Sequence, residues 1–256
     1  MRCFLWPYNV PNDFIYRCGQ LINLNRLFNC KFYILFIFYE ETKQNKTKQT
    51  KTHIGKKAKE FFSPFQFGIK TIDGASSAAL SSDVFFNSSD SNYIFNLDFK
   101  NAFNSVSRSS ILPLLQKHFP EVESFFYSFY GKSSTLVYEN FDLLSSSGVK
   151  QGDPLGPFFF CLAIHPLMCE LKEKFPEIDI VAYMDDISVI APITILKQIA
   201  TFIQQRYEDI GLSLNISKCL IIGHEPIDFF INDVNVPFIN YDQSGFRFFG
   251  LLSRKY

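Results

Sequence analysis

Two adjacent aspartates, Asp185 and Asp186, are the residues whose type and spacing point most directly to chemistry. Asp185 and Asp186 are adjacent in Tyr183-Met184-Asp185-Asp186, between two short apolar runs, Ile178-Asp179-Ile180-Val181-Ala182 and Ile187-Ser188-Val189-Ile190. Two carboxylates between strand-like segments read as a β-hairpin with an acidic tip. Held close together they repel each other unless a cation is present. A divalent ion removes that cost, and carboxylate oxygens are the ligands that hard cations take. Taken alone, the pair has a second reading as a solvated turn, where Asp is common because it tolerates turn backbone.

A metal site of this kind needs a scaffold that presents carboxylates from more than one strand. Asn92 to Leu97 alternates as a strand and ends at Asp98. A strand-end Asp can simply begin a turn, but Asp98 and Asp185 converge when their strands are neighbours. Residues 75–86 read as a short helix before that strand. After it, Ile111, Leu114, Leu115, His118 and Phe119 share one face at helical spacing. Phe125, Phe126 and Phe129 continue as a second helix, stopped near Gly131. Thr135 to Tyr138 and Leu143 to Gly148 look like a hairpin. Asp153-Pro154 reads as a helix start, with Asp as N-cap and Pro at the first helical position, and the helix runs to about Lys174. Thr194 then caps a helix bearing Ile195, Ile199, Phe202, Ile203 and Ile210, closed by Gly211. Leu220-Ile221-Ile222 is a short strand, and residues 228–238 and 246–251 form a terminal strand group. Strands packed under helices on one face make an α+β architecture.

The order of motifs is more specific than any one of them. Asn96-Leu97-Asp98-Phe99-Lys100-Asn101-Ala102-Phe103-Asn104-Ser105-Val106 comes first, then Gly148-Val149-Lys150-Gln151-Gly152-Asp153-Pro154-Leu155-Gly156-Pro157, then the acidic hairpin. Gly211-Leu212-Ser213-Leu214-Asn215-Ile216-Ser217-Lys218-Cys219 and Phe246-Arg247-Phe248-Phe249-Gly250-Leu251 follow. In this order the segments resemble the palm motifs of reverse transcriptases, most closely those of non-LTR, LINE-like retrotransposons. Ser63-Pro64-Phe65-Gln66-Phe67-Gly68 is similar to the segment that precedes the first palm strand in that family. The resemblance covers about Ser63 to Leu252.

The resemblance implies an RNA-directed DNA polymerase domain: a palm with an antiparallel sheet packed under helices, partial fingers and no complete thumb. It implies that Asp98 and Asp185, with Asp186 adjacent, hold two Mg²⁺ ions, with Mn²⁺ able to stand in. Phe99, Tyr183 and Met184 then line the nucleotide site. Phe103, five residues after Asp98, matches the aromatic beneath the incoming sugar, where a flat ring collides with a 2′-hydroxyl and favours deoxynucleotides. Gln151 and Gly152 match the segment that contacts nucleotide and template. Lys218 matches the position proposed to protonate the departing pyrophosphate, and Phe249-Gly250 matches the primer grip. The partners implied are an RNA or DNA template with its primer, and dNTPs. Without the resemblance, Phe103 is a core residue, Gln151-Gly152 a strand-to-helix turn, and Lys218 a surface lysine.

Composition sets the outer bounds. A chain of 256 residues suffices for one large domain or two small ones. With 47% hydrophobic and 20% charged residues it is not disordered as a whole. Cys3, Cys18, Cys30, Cys161, Cys169 and Cys219 include no Cys-x-x-Cys pair, so no zinc-ribbon signature exists. Cys161 and Cys169 fall in an apolar helical pattern as core residues, and a reducing compartment is the simple reading. The apolar run Phe32 to Tyr39 is too short to span a bilayer and lacks the basic start and cleavage site of a signal peptide. An intracellular protein, nuclear or cytoplasmic and without a membrane partner, is therefore expected. Residues 1–60 do not match the family pattern. Their Lys/Thr/Gln tract, Glu41 to Lys59, lacks apolar periodicity and reads as a disordered linker. The folded palm domain is expected over 61–256, with order beginning near Phe61.

Glu60 to Tyr256 carries 14 Lys and Arg against 22 Asp and Glu, a balance of −8. Nucleic-acid binders usually show a basic footprint. No clear match exists to the upstream fingers segments whose basic residues bind the triphosphate, so the sequence reads as a palm-centred fragment. A second reading is thus a catalytically inactive palm-fold remnant with weak nucleic-acid binding. A third, a metal-dependent nuclease, lacks the extra acidic or His ligands such a site needs.

Overall fold

Asn92–Leu97 forms β1, and its mixture of aromatic and branched apolar side chains suits a strand buried on both faces. In the computed structural model, which describes residues 55–138, 141–150, 152–242, 247–248 and 251–252, β1 is the middle strand of a five-stranded sheet. Of the remaining strands, Ser134–Tyr138 (β2) and Phe141–Ser145 (β3) make a separate hairpin. Asp179–Tyr183 (β4) and Asp186–Pro192 (β5) are the acidic hairpin, and Leu220–Gly223 is β6. Phe230–Ile231 (β7) pairs with Val234–Asn235 (β8), and Phe238–Asn240 (β9) returns to the main sheet. The sheet order is β4-β5-β1-β6-β9. All its contacts are antiparallel except β6 with β9, which is parallel.

One further segment extends the sheet. Phe67 N–H donates to Ala182 O at 2.7 Å and Ala182 N–H donates to Phe65 O at 2.8 Å. Residues 65–67 thus run parallel to β4 and cover the edge it would otherwise expose.

Helices cover both faces of the sheet rather than one. Gly74–Phe86 (α1) packs Ala78 and Phe86 against Ile94, Val181, Ile190 and Ile222. The alternate residues Phe95, Val189 and Ile221 are equally buried. On that side Phe99 stacks on Tyr207 of Ile193–Glu208 (α6), with ring centroids 5.2 Å apart. The strands therefore carry near-continuous apolar runs, which period-two reasoning cannot assign to a single face. Ala102–Ser105 (α2), Arg108–His118 (α3) and Glu123–Tyr130 (α4) follow β1, and Gly156–Lys174 (α5) is almost wholly buried. The Phe-rich composition goes into this layer: Phe62, Phe119, Phe126, Phe158 and Phe159 form a chain of edge-on and stacked rings.

Three local expectations need correction. Residues 55–62 are helical, with Ala58 and Phe62 buried, so ordered structure begins before Phe61. Its apolar anchors are few and stand among Lys56, Lys57, Lys59 and Glu60, which hide its period. The helix α5 starts at Gly156, not at Asp153-Pro154. Asp153 instead makes a tight turn: its Oδ1 accepts from Leu155 N–H at 3.0 Å, while its other carboxylate oxygen takes the Tyr130 hydroxyl. Thr194 lies inside the first turn of α6, which is entered from extended Pro192. Gly211 does close that helix, at φ 82, with Leu212 N–H reaching back to Tyr207 O at 2.9 Å.

Candidate active site

The strands β4 and β5 pair up to Tyr183 and Asp186, leaving a loop of only Met184 and Asp185. Met184 sits at φ 59, in the left-handed region that side chains other than glycine rarely take. The turn is held from the neighbouring segment. Gln66, 5% exposed, accepts from Met184 N–H on Oε1 at 2.7 Å and donates from Nε2 to Met184 O at 3.2 Å. Its Oε1 also accepts from Gly68 N–H at 2.9 Å. Beneath the turn, the Cys161 thiol of α5 touches Met184 Sδ at 3.9 Å.

Asp98 follows the last paired residue of β1. Leu97 lies opposite Ile187, so the register carried one step further sets Asp98 against Asp186. Opposite side chains on neighbouring antiparallel strands have Cβ atoms about 5 Å apart. The row behind them is polar too: Ser188 Oγ donates to Asn96 Oδ1 at 2.7 Å. The backbone of Asp98 is fixed by the loop after α6. Asn215 N–H donates to Asp98 O at 2.8 Å, Lys100 N–H donates to Ser213 O at 2.9 Å, and Cys219 Sγ accepts from Asp98 N–H at 3.5 Å. Burial pushes the Cys219 thiol up to about 11, so it stays neutral beside the aspartate.

Burial and neighbouring charge both act on the two hairpin carboxylates. Asp185 is raised above the ordinary carboxylate range, first by desolvation and then by the Asp98 charge, with its own backbone hydrogen bond opposing. Asp186 is raised by desolvation, then by Asp185, then by Asp98. Asp98 thus adds to the rise at both hairpin carboxylates, with no cationic side chain among the causes of either shift. Among the described residues, no three His, Cys, Asp or Glu side chains are grouped so that they could hold a metal ion. The carboxylate oxygens of Asp98 and Asp185 are ligands of the kind Mg²⁺ takes, an ion that keeps several further ligands from water and substrate phosphates.

The other predicted residues divide. Phe103 is half-buried and stacks on Phe160 of α5, with centroids 4.8 Å apart and planes 19° apart. Its carbonyl accepts from Val149 N–H at 2.7 Å, which ties the segment after Asp98 to the loop before α5. Gly152 is exposed at φ 86, in a part of that loop where an added Cβ would meet nothing within 4 Å. Tyr183 and Met184 are half-buried, Asp186 and Lys218 exposed. Phe99 is buried on Tyr207, so its side chain belongs to the core and only its backbone is near Asp98. Gln151, Phe249 and Gly250 lie outside the described residues, as do residues 1–54.

Sequence reasoning missed two structural supports. Gln66 was legible only as a single amide between two phenylalanines, an odd residue for an apolar run. Arg108 gives its guanidinium to Gly148 O, Ser145 O, Ser145 Oγ and Ser147 O at 2.8–3.0 Å and packs over the Tyr130 ring, so it organises the loop that leads to Gly152.

Comparison with known proteins bears on the family and the fold. The chain is 28% identical over 183 residues to the retrotransposable element SLACS 132 kDa protein of Trypanosoma brucei gambiense, covering 67% of this chain and 15% of that protein. It is 29% identical over 185 residues to the retrovirus-related Pol polyprotein from the type-1 retrotransposable element R2 of Popillia japonica, covering 62% of this chain and 25% of that protein. The chain thus spans a quarter or less of the length of these relatives. Among solved structures, it is similar to telomerase of Candida tropicalis in its apo form truncated from the C-terminal domain, with a TM-score of 0.53 at 15% identity, over 83% of this chain and 46% of that one. The Candida tropicalis telomerase in complex with a fragment of telomeric RNA gives a TM-score of 0.56 at 11% identity, over 88% and 40%. These structures share the palm fold. Residues 42–251 match the reverse transcriptase (RNA-dependent DNA polymerase) family, with non-LTR retrotransposon proteins among the relatives, and the chain belongs to that family.

Proposed function

We propose that this chain performs RNA-directed DNA synthesis, adding deoxynucleotides from dNTPs to a primer 3′ end on a nucleic-acid template. The observation that supports the proposal is the antiparallel register of β1 and β5, which carried one step on sets Asp98 against Asp186 and beside Asp185, inside a reverse transcriptase palm. Asp98 and Asp185 would hold two Mg²⁺ or Mn²⁺ ions, with Asp186 beside them. Bound there, such ions neutralise the attacking and leaving oxygens of an in-line phosphoryl displacement. Asp98 and Asp185, on separate backbone segments, fix where the triphosphate and the primer end meet. Phe103 stands at the floor of the sugar site and selects against a 2′-hydroxyl. Gly152 lets backbone approach the nucleotide and template closely, and Gln151 offers them a donor and an acceptor. Lys218, at the end of the loop that anchors Asp98, donates the proton that departs with pyrophosphate. Phe249-Gly250 grips the primer. Template and dNTPs place this work inside the cell, in the nucleus or the cytoplasm.

Primer extension on an RNA template, with Mg²⁺, with Mn²⁺ and with chelator, tests the proposal. Metal-dependent extension that Asp185→Asn abolishes is the expected result. The −8 charge balance of residues 60–256 favours a second reading, a palm without turnover. A folded chain that binds primer–template and extends nothing under either metal would establish it.

A further inference from the structure

We propose that Gln66 is a positioning residue that locks the Met184–Asp185 turn and thereby sets where Asp185 and Asp186 stand relative to Asp98. The two aspartates hang on a two-residue loop whose first member is strained. A methionine at φ 59 carries a conformational cost that glycine would not. Hairpin pairing ends at Tyr183 and Asp186, so nothing in the ladder binds the Met184 N–H or C=O. Both go to one buried amide: Oε1 takes the N–H at 2.7 Å and Nε2 takes the C=O at 3.2 Å. An amide can do this because it carries donor and acceptor side by side.

Gln66 is itself held rigidly. Its backbone is sewn to β4 on both sides of Ala182, through Phe65 and Phe67. Its Oε1 also takes Gly68 N–H, and a Cβ at Gly68 would come within 3.0 Å of both that oxygen and the Met184 side chain. The amide is therefore a third strand's grip on the turn, delivered from a segment 118 residues earlier in the chain. Without it, Met184 is free to leave the left-handed region, and both carboxylates move with it. The catalytic part of this inference rests on the polymerase reading; the grip itself does not.

Amide hydrogen exchange on the full chain tests the grip directly. The Met184 N–H of the wild type should exchange slowly, as a buried hydrogen bond requires. Gln66→Ala should speed it tenfold or more, while the Ile94 and Ile222 amides inside the sheet keep their rates. Mn²⁺ binding followed by electron paramagnetic resonance should weaken about tenfold in the same variant. Adding Met184→Gly to Gln66→Ala should restore most of that affinity, since glycine holds a positive φ unaided. A merely structural role for Gln66 predicts no such rescue. Should Gln66→Ala not fold, Gln66→Met keeps roughly the volume, loses both the Oε1 acceptor and the Nε2 donor, and should show the same two changes. A Met184 N–H that exchanges like an open loop in the folded wild type overturns the proposal, whatever the variants do. So does unchanged Met184 exchange in a folded Gln66 variant. Absence of primer extension in the wild type would count against the polymerase reading and leave the exchange result standing.

Discussion

Replacing Asp185 by Asn should make the metal-free protein more stable while removing its activity. Asp185 is half-buried and raised by desolvation and by Asp98, so its ionised form opposes folding. Like charges about 5–6 Å apart repel by roughly 3 kcal/mol at an effective dielectric of about 20 and by under about 1 kcal/mol in bulk water. The cluster is open to solvent through Asp186, so a relief of about 1–2 kcal/mol is the working figure. For a domain of this size that corresponds to a rise of about 2–8 °C in melting temperature. The pH dependence has a definite sign. An acid raised in the folded state contributes stability that is fully present below its unfolded value, 3.8, and is lost as pH rises through the folded one. The gap between variant and wild type should therefore be near zero at about pH 3.5 and widest near pH 7. Thermal unfolding followed by circular dichroism in chelator, at several pH values, measures it. Adding Mg²⁺ or Mn²⁺ should raise the wild-type melting temperature and leave the variant unmoved, because only the folded wild type gains a ligand. A variant no more stable than wild type in chelator at neutral pH would refute the argument that the carboxylates repel across the site. A gap that does not shrink on acidification would refute it equally.

Phe103→Val should raise ribonucleotide incorporation and leave dNTP use largely intact in primer extension with matched pools; loss of dNTP use without that gain would make the Phe160 stack the whole of its role. Gly148→Ala should cost several kcal/mol in denaturant unfolding, since Gly148 lies at φ 70 and its new Cβ would fall 2.3–2.5 Å from the Asn104 backbone. Arg108→Lys keeps the charge but cannot reach four acceptors in one plane, and should increase proteolytic cleavage between Ser145 and Gly152 without moving the far end of the sheet.

Much of the site was legible because its parts are local. Asn92 to Leu97 and the acidic hairpin are short, strongly patterned and bounded by charge, and both occur where the pattern places them. Misplaced boundaries share one cause: the side chain used as a signal was engaged elsewhere. Asp153 has the chemistry of a helix cap, but Tyr130 and the turn to Leu155 consume it. Thr194 has the same chemistry, but Pro192 delivers the chain directly into α6. The buried amide of Gln66 is a different case. Its partner is 118 residues away, and no periodicity within a single segment encodes such a contact. The parallel return of β9 beside β6 is equally non-local.

The central position of β1 has a consequence for synthesis. It is the first strand of the main sheet to leave the ribosome, yet its two neighbours begin at Asp186 and Leu220. For some ninety residues of elongation both its hydrogen-bonding edges are unsatisfied, and Tyr93, Ile94, Phe95 and Leu97 have no sheet to enter. Such an edge is a template for pairing with other chains. Any message truncated before Leu220 therefore yields a product with one side of that strand permanently open. The expected fate of such a product is aggregation or degradation.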